Sequence, residues 1–167
     1  MSDLTIARSL RRAKQLRGEI ATLTERIKGS TFWKKGEDPD FQYEDLMTAR
    51  DRAVTDLTSL RAGIARANAA NTLVYQGHEL SLAEAVLTLG ELKGKAVLLK
   101  EIVLRHGEHR IASHVGWDDE GRRVGAEVTV YQAVMTEPER AAKLDELRGE
   151  IDALNELLEE ANHRTTV

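Results

Sequence analysis

Three histidines, His106, His109 and His114, followed by Asp118 and Asp119, form the densest group of side chains in this sequence that could bind a metal or move a proton. Imidazole nitrogens and carboxylate oxygens are ordinary donors to zinc and iron. Their spacing matches no standard ligand motif, and a glycine-rich stretch does not hold ligands in place ahead of the metal. No serine, threonine or lysine nucleophile stands in a recognisable motif that would put these groups to acid–base work. The expectation is therefore a solvated loop, with no catalytic residue, no metal and no cofactor.

A second set suits stacking and phosphate. Phe32, Trp33, Lys34 and Lys35 share one interhelix stretch, and Arg110, Trp117, Arg122, Arg123 and Tyr131 share another. Aromatic rings stack on a base, and guanidinium groups bind phosphate through paired hydrogen bonds. In a bundle of two helical hairpins both stretches fall at the same end. Trp33, Lys34, Arg110, Trp117, Arg122, Arg123 and Tyr131 are therefore the candidate ligand-binding residues, for an anionic small molecule such as a nucleotide. Glu108, Asp118, Asp119, Glu120 and Glu127 cancel the positive surplus of the second stretch, so loops that merely cap the bundle are the plainer alternative. Arg8, Arg11, Arg12, Lys14 and Arg17 make a basic face near the start, and Asp145, Glu146, Glu150, Asp152, Glu156, Glu159 and Glu160 make an acidic one near the end. Pairing of these two faces, within or between subunits, is favoured over nucleic acid.

The elements that would position these groups follow from periodicity. Ile6, Leu10, Ala13, Leu16, Ile20, Leu23 and Ile27 step by three and four, which predicts a helix over about residues 3–28. Gly29 to Glu37 breaks it, and Asp38-Pro39 supplies a cap and first-turn proline for a second helix reaching about Asn68, with its seam at Leu46, Ala53, Leu57, Leu60, Ile64 and Ala67. Asn68 and Asn71 stop that helix. Leu73 to Leu80 reads as a hairpin turning at Gln76-Gly77, and Ser81 with Glu84 is a capping box opening a third helix to about Arg105. Gly90 and Gly94 inside that helix call for close packing as compensation. Residues 106–135 form a long loop in which Glu127 to Tyr131 alternates as a short strand. Thr136-Glu-Pro-Glu139 is a second capping box, and helix 4 follows with its seam at Leu144, Leu147, Ile151, Leu154, Leu158 and Ala161.

The halves echo each other. Ala67-Asn68-Ala-Ala-Asn71-Thr72 aligns with Ala161-Asn162-His-Arg-Thr165-Thr166, and Leu16-Arg-Gly18-Glu-Ile20 aligns with Leu92-Lys-Gly94-Lys-Ala96. Each half then reads as a helix, a polar excursion and a second helix.

Composition bounds the rest. A chain of 167 residues, 41% hydrophobic and 31% charged, is the size of one domain able to bury a core, and residues 1–167 are expected to form a single helical domain. The absence of cysteine removes disulfides and thiol chemistry. A net charge of −4 argues against general nucleic-acid affinity. No membrane span and no signal peptide are read in the sequence, so a cytoplasmic protein is expected.

The run Asn68-Ala-Ala-Asn71-Thr72, then Gly77, Leu80-x-x-Ala83-Glu-Ala85, a late Ile151 and terminal Ala161-Asn162-x-x-Thr165 resembles a family of small helical bacterial proteins labelled septicolysin, otherwise of unknown function. The likeness includes Gly36-Glu-x-Pro39 and Glu127-Val128. It departs at His163, where the family has tryptophan, and in a longer loop at 106–121. The resemblance implies helical hairpins, its label implies a membrane-active cytolysin, and it offers no catalytic residue to carry over.

The expected fold is all-α, two long antiparallel helical hairpins in a four-helix, coiled-coil-like arrangement, with a β-hairpin at 73–80 and a short strand at 127–131. The expected function is non-enzymatic, by binding or assembly as a homo-oligomer. Sequestration of an anionic ligand is the alternative, and the cytolysin the weakest. The third helix carries the oligomer expectation, because Val86, Leu87, Val97, Leu98, Ile102 and Leu104 lie outside its seam.

Overall fold

The computed structural model describes residues 4–36, 42–111, 119–120 and 127–167. The protein is mostly helical, with four helices and two short antiparallel strand pairs: α1 (Ile6–Gly29), α2 (Tyr43–Ala70), β1 (Thr72–Tyr75), β2 (His78–Ser81), α3 (Leu82–Glu101), β3 (Gly107–Ile111), β4 (Glu127–Tyr131) and α4 (Glu137–Arg164). It divides into two compact units, residues 1–90 with 152–167, and residues 91–151.

In the first unit α1 packs along α2. The stepped apolar residues do what their spacing implies: Ala13 and Leu16 of α1, Ala53, Ile64 and Ala67 of α2, and Leu154 and Leu158 of α4 are buried. One position differs. Leu10 is exposed and Ser9 beside it is buried, because the buried face steps through Ile6, Ser9, Ala13 and Leu16, and the position three residues after Ile6 is a serine. The start of α2 differs too. It opens at Tyr43 after Gln42, which makes no side-chain cap, while Asp38 and Pro39 lie outside the described residues.

The hairpin between α2 and α3 holds the expected register, with Leu73 opposite Leu80 and Tyr75 opposite His78. Gln76 (φ 49°) and Gly77 (φ 81°) both take left-handed backbone, the geometry that matches the twist of a two-residue hairpin turn. Asn71 does not. It stays extended (φ −113°) and stops α2 by donating from both its backbone N–H and its side-chain Nδ2 to the Ala67 carbonyl, at 3.1 and 2.8 Å.

Both capping boxes close. Glu84 N–H donates to Ser81 Oγ at 3.1 Å while Ser81 N–H donates to the Glu84 carboxylate at 2.8 Å, and Thr136 with Glu139 repeats the exchange. Hydrogen bonds from the backbone and then the side chain of Ser81 hold the Glu84 carboxyl below its ordinary value. The folded value is the lower one, so this stabilisation is present above the unfolded pKa and is lost as pH falls through the folded one. Ser81→Ala is expected to cost about 1 kcal/mol in a urea melt and Ser81→Gly less. Equal losses would mean that the hydroxyl is not the cap.

The ends of the described chain meet in the first unit. Ile6 N–H donates to the Thr165 carbonyl at 2.9 Å, Val167 N–H donates to the Leu4 carbonyl at 2.8 Å, and Thr5 bridges Thr166 antiparallel. Gly63 makes room for this tail, since a Cβ there would sit 2.5 Å from Val167 Cγ1. The junction repeats the hairpin's. There Leu82 N–H donates to the Asn71 carbonyl at 2.9 Å and Thr72 lies opposite Ser81. Asn71 aligns with Thr165 and Thr72 with Thr166, so the internal echo in the sequence corresponds to two junctions built alike.

That equivalence singles out Ser9. It is fully buried, and its hydroxyl has no hydrogen-bond partner among the described residues. The aligned position in α3 is Ala85, also fully buried. An unpaired buried hydroxyl costs free energy, so Ser9→Ala is expected to raise stability by about 1 kcal/mol. A loss on chemical denaturation would show that the hydroxyl is bonded in solution.

In the second unit Ala96 and Leu99 of α3 and Leu147 of α4 form a small core, joined by Leu92, Ile102, Met135, Leu144 and Ile151. α3 stops at Glu101, before Val103, which is exposed. The stretch 106–135 is not all loop: the expected strand at 127–131 pairs with a second one, Gly107 opposite Tyr131 and Ile111 opposite Glu127. Gly107 enters β3 with φ 91°, a conformation that ends any helical continuation of Ile102-Val103-Leu104.

Candidate interaction surface

At 3.6 residues per turn, Leu82, Ala85, Leu89, Leu92, Ala96 and Leu99 fall on one side of α3. All six are buried or half-buried, as are Thr88 beside them and Ala83 in the first turn of the opposite side. Val86, Leu87, Val97 and Leu98 fall on the roughly opposite third of the circumference, with Gly90 and Gly94 between them. Their exposures are 50, 70, 51 and 61%. A Cβ added at Gly90 or Gly94 would meet nothing within 4 Å. The close packing expected at these glycines is thus not supplied by the described residues of the chain itself. Lys93 and Lys100 border this face beside Val86, Glu84, Glu91 and Lys95 border it beside Leu98, and Glu101 lies on the face at its C-terminal end, all exposed.

α1 provides an internal reference. With Leu16 on Leu92 and Gly18 on Gly94, the matching face of α1 carries Leu10, Arg11, Lys14, Gly18, Ala21 and Thr22, all exposed. Where α1 presents arginine, lysine and threonine to water, α3 presents leucine, glycine and leucine. The seams are alike and the outer faces are not. Of the six residues counted outside the α3 seam, Ile102 is half-buried in the core of the second unit and Leu104 is half-buried, so four remain on the outer face with Ile102 and Leu104 removed from it.

The residues singled out for ligand binding are not brought into one described site. Trp33 and Lys34 follow α1 in the first unit, both exposed, beside an 80% exposed Phe32. Arg110 lies on β3, where only the backbone is described, and Tyr131 ends β4 in the second unit. Trp117, Arg122 and Arg123 lie outside the described residues, as do His114 and Asp118. Arg105, not singled out, places its guanidinium 5.7 Å from the centre of the Tyr131 ring, a cation–π distance. Among the described residues no three histidines or carboxylates are grouped to hold a metal ion. The basic residues Arg8, Arg11, Arg12, Lys14 and Arg17 are exposed, and acids of α4 form pairs within that helix, Asp145 with Arg148 and Glu160 with Arg164.

A pocket of about 310 Å³ escaped the sequence reading. It lies in the second unit between the segment after α3 and the start of α4, lined by Leu104, Val134, Met135, His106, Glu137 and Glu139 among others. Arg140 of α4 joins the two segments, donating to the Ile102 carbonyl at 2.9 Å and pairing with Glu137 at 2.5 Å. The signal for it was Ala133-Val134-Met135 directly before a capping box, an apolar run at the place where a staple residue packs.

The architecture defines a class: small, mostly helical proteins with four helices and short antiparallel strand pairs. A crystal structure described as a functionally unknown conserved protein from Corynebacterium diphtheriae shares this fold, with a TM-score of 0.74 at 18% identity over 99% of each chain. The chain belongs to a family of unknown function, DUF6847, which matches residues 12–167. A search of curated proteins gives no match. Neither finding bears on the septicolysin label. No helix among the described residues is long and apolar enough to cross a membrane.

Proposed function

We propose that this protein acts without catalysis, as a homo-oligomer that assembles through the outer face of α3. The observation that carries the reading is the contrast within the chain: where α1 has Arg11, Lys14 and Thr22, the equivalent face of α3 has Leu87, Gly90 and Leu98, and among the described residues none covers it. Val86, Leu87, Val97 and Leu98 from each of two copies would contribute roughly 1 kcal/mol apiece, since each is already partly covered. The gross gain of about 8 kcal/mol lies inside the range of the association cost, about 4–15 kcal/mol. Assembly therefore depends on the backbones approaching closely, which Gly90 and Gly94 allow. Light scattering coupled to size exclusion at micromolar concentration tests it. A mass that is a multiple of 18.6 kDa is expected. A monomer at every concentration removes the reading.

The exposure of Phe32 and Trp33 favours a second reading, an anionic small molecule stacked on these rings. A thermal-shift screen against nucleotides tests it, because ligand at a hundred times its Kd adds about 2.7 kcal/mol. The shift should vanish in Trp33→Ala. Retention of the shift would place the ligand elsewhere.

A further inference from the structure

We propose that the pocket in the second unit binds a small primary amine, an ammonium group carried on an apolar body. At about 310 Å³ it stands at the small end of the range for ligand sites, about 300–1,000 Å³. Leu104, Val134 and Met135 give it an apolar lining, and Glu137 and Glu139 stand at its polar edge. Both carboxylates are held in place by the chain itself. Glu139 receives the backbone N–H and the hydroxyl of Thr136 on Oε2, at 2.7 and 3.0 Å, and Glu137 meets Arg140 on Oε2 at 2.5 Å. Oε1 of each has no partner among the described residues. An ammonium group brings three donors, and hydrogen bonds between opposite charges are the strong ones. His106, when neutral, adds a ring nitrogen that accepts.

An anion finds less here. The start of a helix ordinarily attracts one through its free N–H groups. In α4 the Glu139 N–H is taken by Thr136 Oγ1, the Arg140 N–H by the Thr136 carbonyl, and residue 138 is a proline with none to give. Among the described residues no lysine or arginine lines the pocket. Arg140 is committed to Glu137 and the Ile102 carbonyl, and Arg105 to the ring of Tyr131. Hydrogen bonds from the backbone and then the side chain of Thr136, with a smaller contribution from Lys143, hold the Glu139 carboxyl below its ordinary value, so it is charged at neutral pH.

Benzylamine is the probe and benzoate the anion of similar size, both titrated at about pH 8, where an imidazole is neutral. With isotope-labelled methionine methyl groups, the Met135 signal is expected to shift on adding benzylamine, while that of Met47, on α2 in the first unit, stays. Benzoate is expected to bind at least about tenfold more weakly. Glu137→Gln with Glu139→Gln keeps a residue able to close the capping box and should weaken the amine by about tenfold or more. Equal affinity for amine and acid, or an unchanged response in the double variant, would overturn the proposal. So would a Met135 signal that does not move in about 10 mM benzylamine. The mass of the protein does not enter this readout, so assembly through α3 stands or falls separately.

Discussion

Leu87→Glu combined with Leu98→Glu is expected to yield a folded monomer of 18.6 kDa where the wild type is larger. Both side chains are more than half exposed, so within one copy the two carboxylates stay in water and stability should move by no more than about 0.5 kcal/mol each. In the assembly the same carboxylates would be pressed against apolar groups without partners, at a cost of several kcal/mol. The asymmetry between those two effects is what makes the variant informative. Ile102 is unsuitable for the purpose, because it packs against the core formed by Ala96, Leu99 and Leu147, and a charge there would unfold the second unit. Arg11→Glu with Thr22→Glu, on the matching face of α1, is the control and should leave the mass unchanged. If the leucine double variant keeps the wild-type mass, or loses its helical circular dichroism before it dissociates, the outer face of α3 is not where copies meet.

Leu82→Ala is expected to lower stability by about 2–5 kcal/mol, the range for emptying a fully buried leucine site. Leu82 is completely buried and is the first residue of α3, where its N–H is already fixed by the Asn71 carbonyl. A backbone pinned at that point cannot shift to fill the space left by the missing methyl groups, which argues for the upper half of the range. Ile6 is the aligned residue at the start of α1, 1% exposed, with its N–H fixed by the Thr165 carbonyl. Ile6→Ala should therefore cost about as much. Urea denaturation of both variants checks the pair. A large loss for one and less than about 1 kcal/mol for the other would show that the two junctions are not mechanically alike.

What could be read from the sequence was whatever one periodicity or one local hydrogen bond decides. The seams through Ala13 and Leu16, Ile64 and Ala67, and Leu147, Leu154 and Leu158 were legible because burial of one helical stripe leaves a step of three and four. The caps at Ser81 and Thr136 were legible because the pairing glutamate stands three residues on. Leu10 was misplaced because the buried position three residues after Ile6 is held by a serine, and the leucine beside it was read in its place. β3 was missed because Glu108, His109 and Arg110 show no apolar alternation. A strand of that kind exists through its partner and not through its own pattern. The end of α3 was overrun because Ile102, Val103 and Leu104 continue an apolar run that only the backbone of Gly107 contradicts. For the candidate site, the sequence counted the extra apolar residues of α3 correctly and could not sort them. Assigning Ile102 to its own core and Leu98 to the surface needed the tertiary structure.

The ladder between Leu4-Thr5 and Thr166-Val167 has the same partners in the same order as the ladder between Leu80-Ser81 and Thr72-Leu73, yet only the second has a covalent turn. In backbone terms α2 passes to α3, and the end of α4 meets the start of α1, through two similar hinges, of which only the first is covalent. A circular permutant opened between Gln76 and Gly77 and joined from Val167 to Met1 would exchange which hinge is continuous while retaining every ladder partner described. Which of the two hinges the chain runs through is in that sense a convention. The structure itself is indifferent to it.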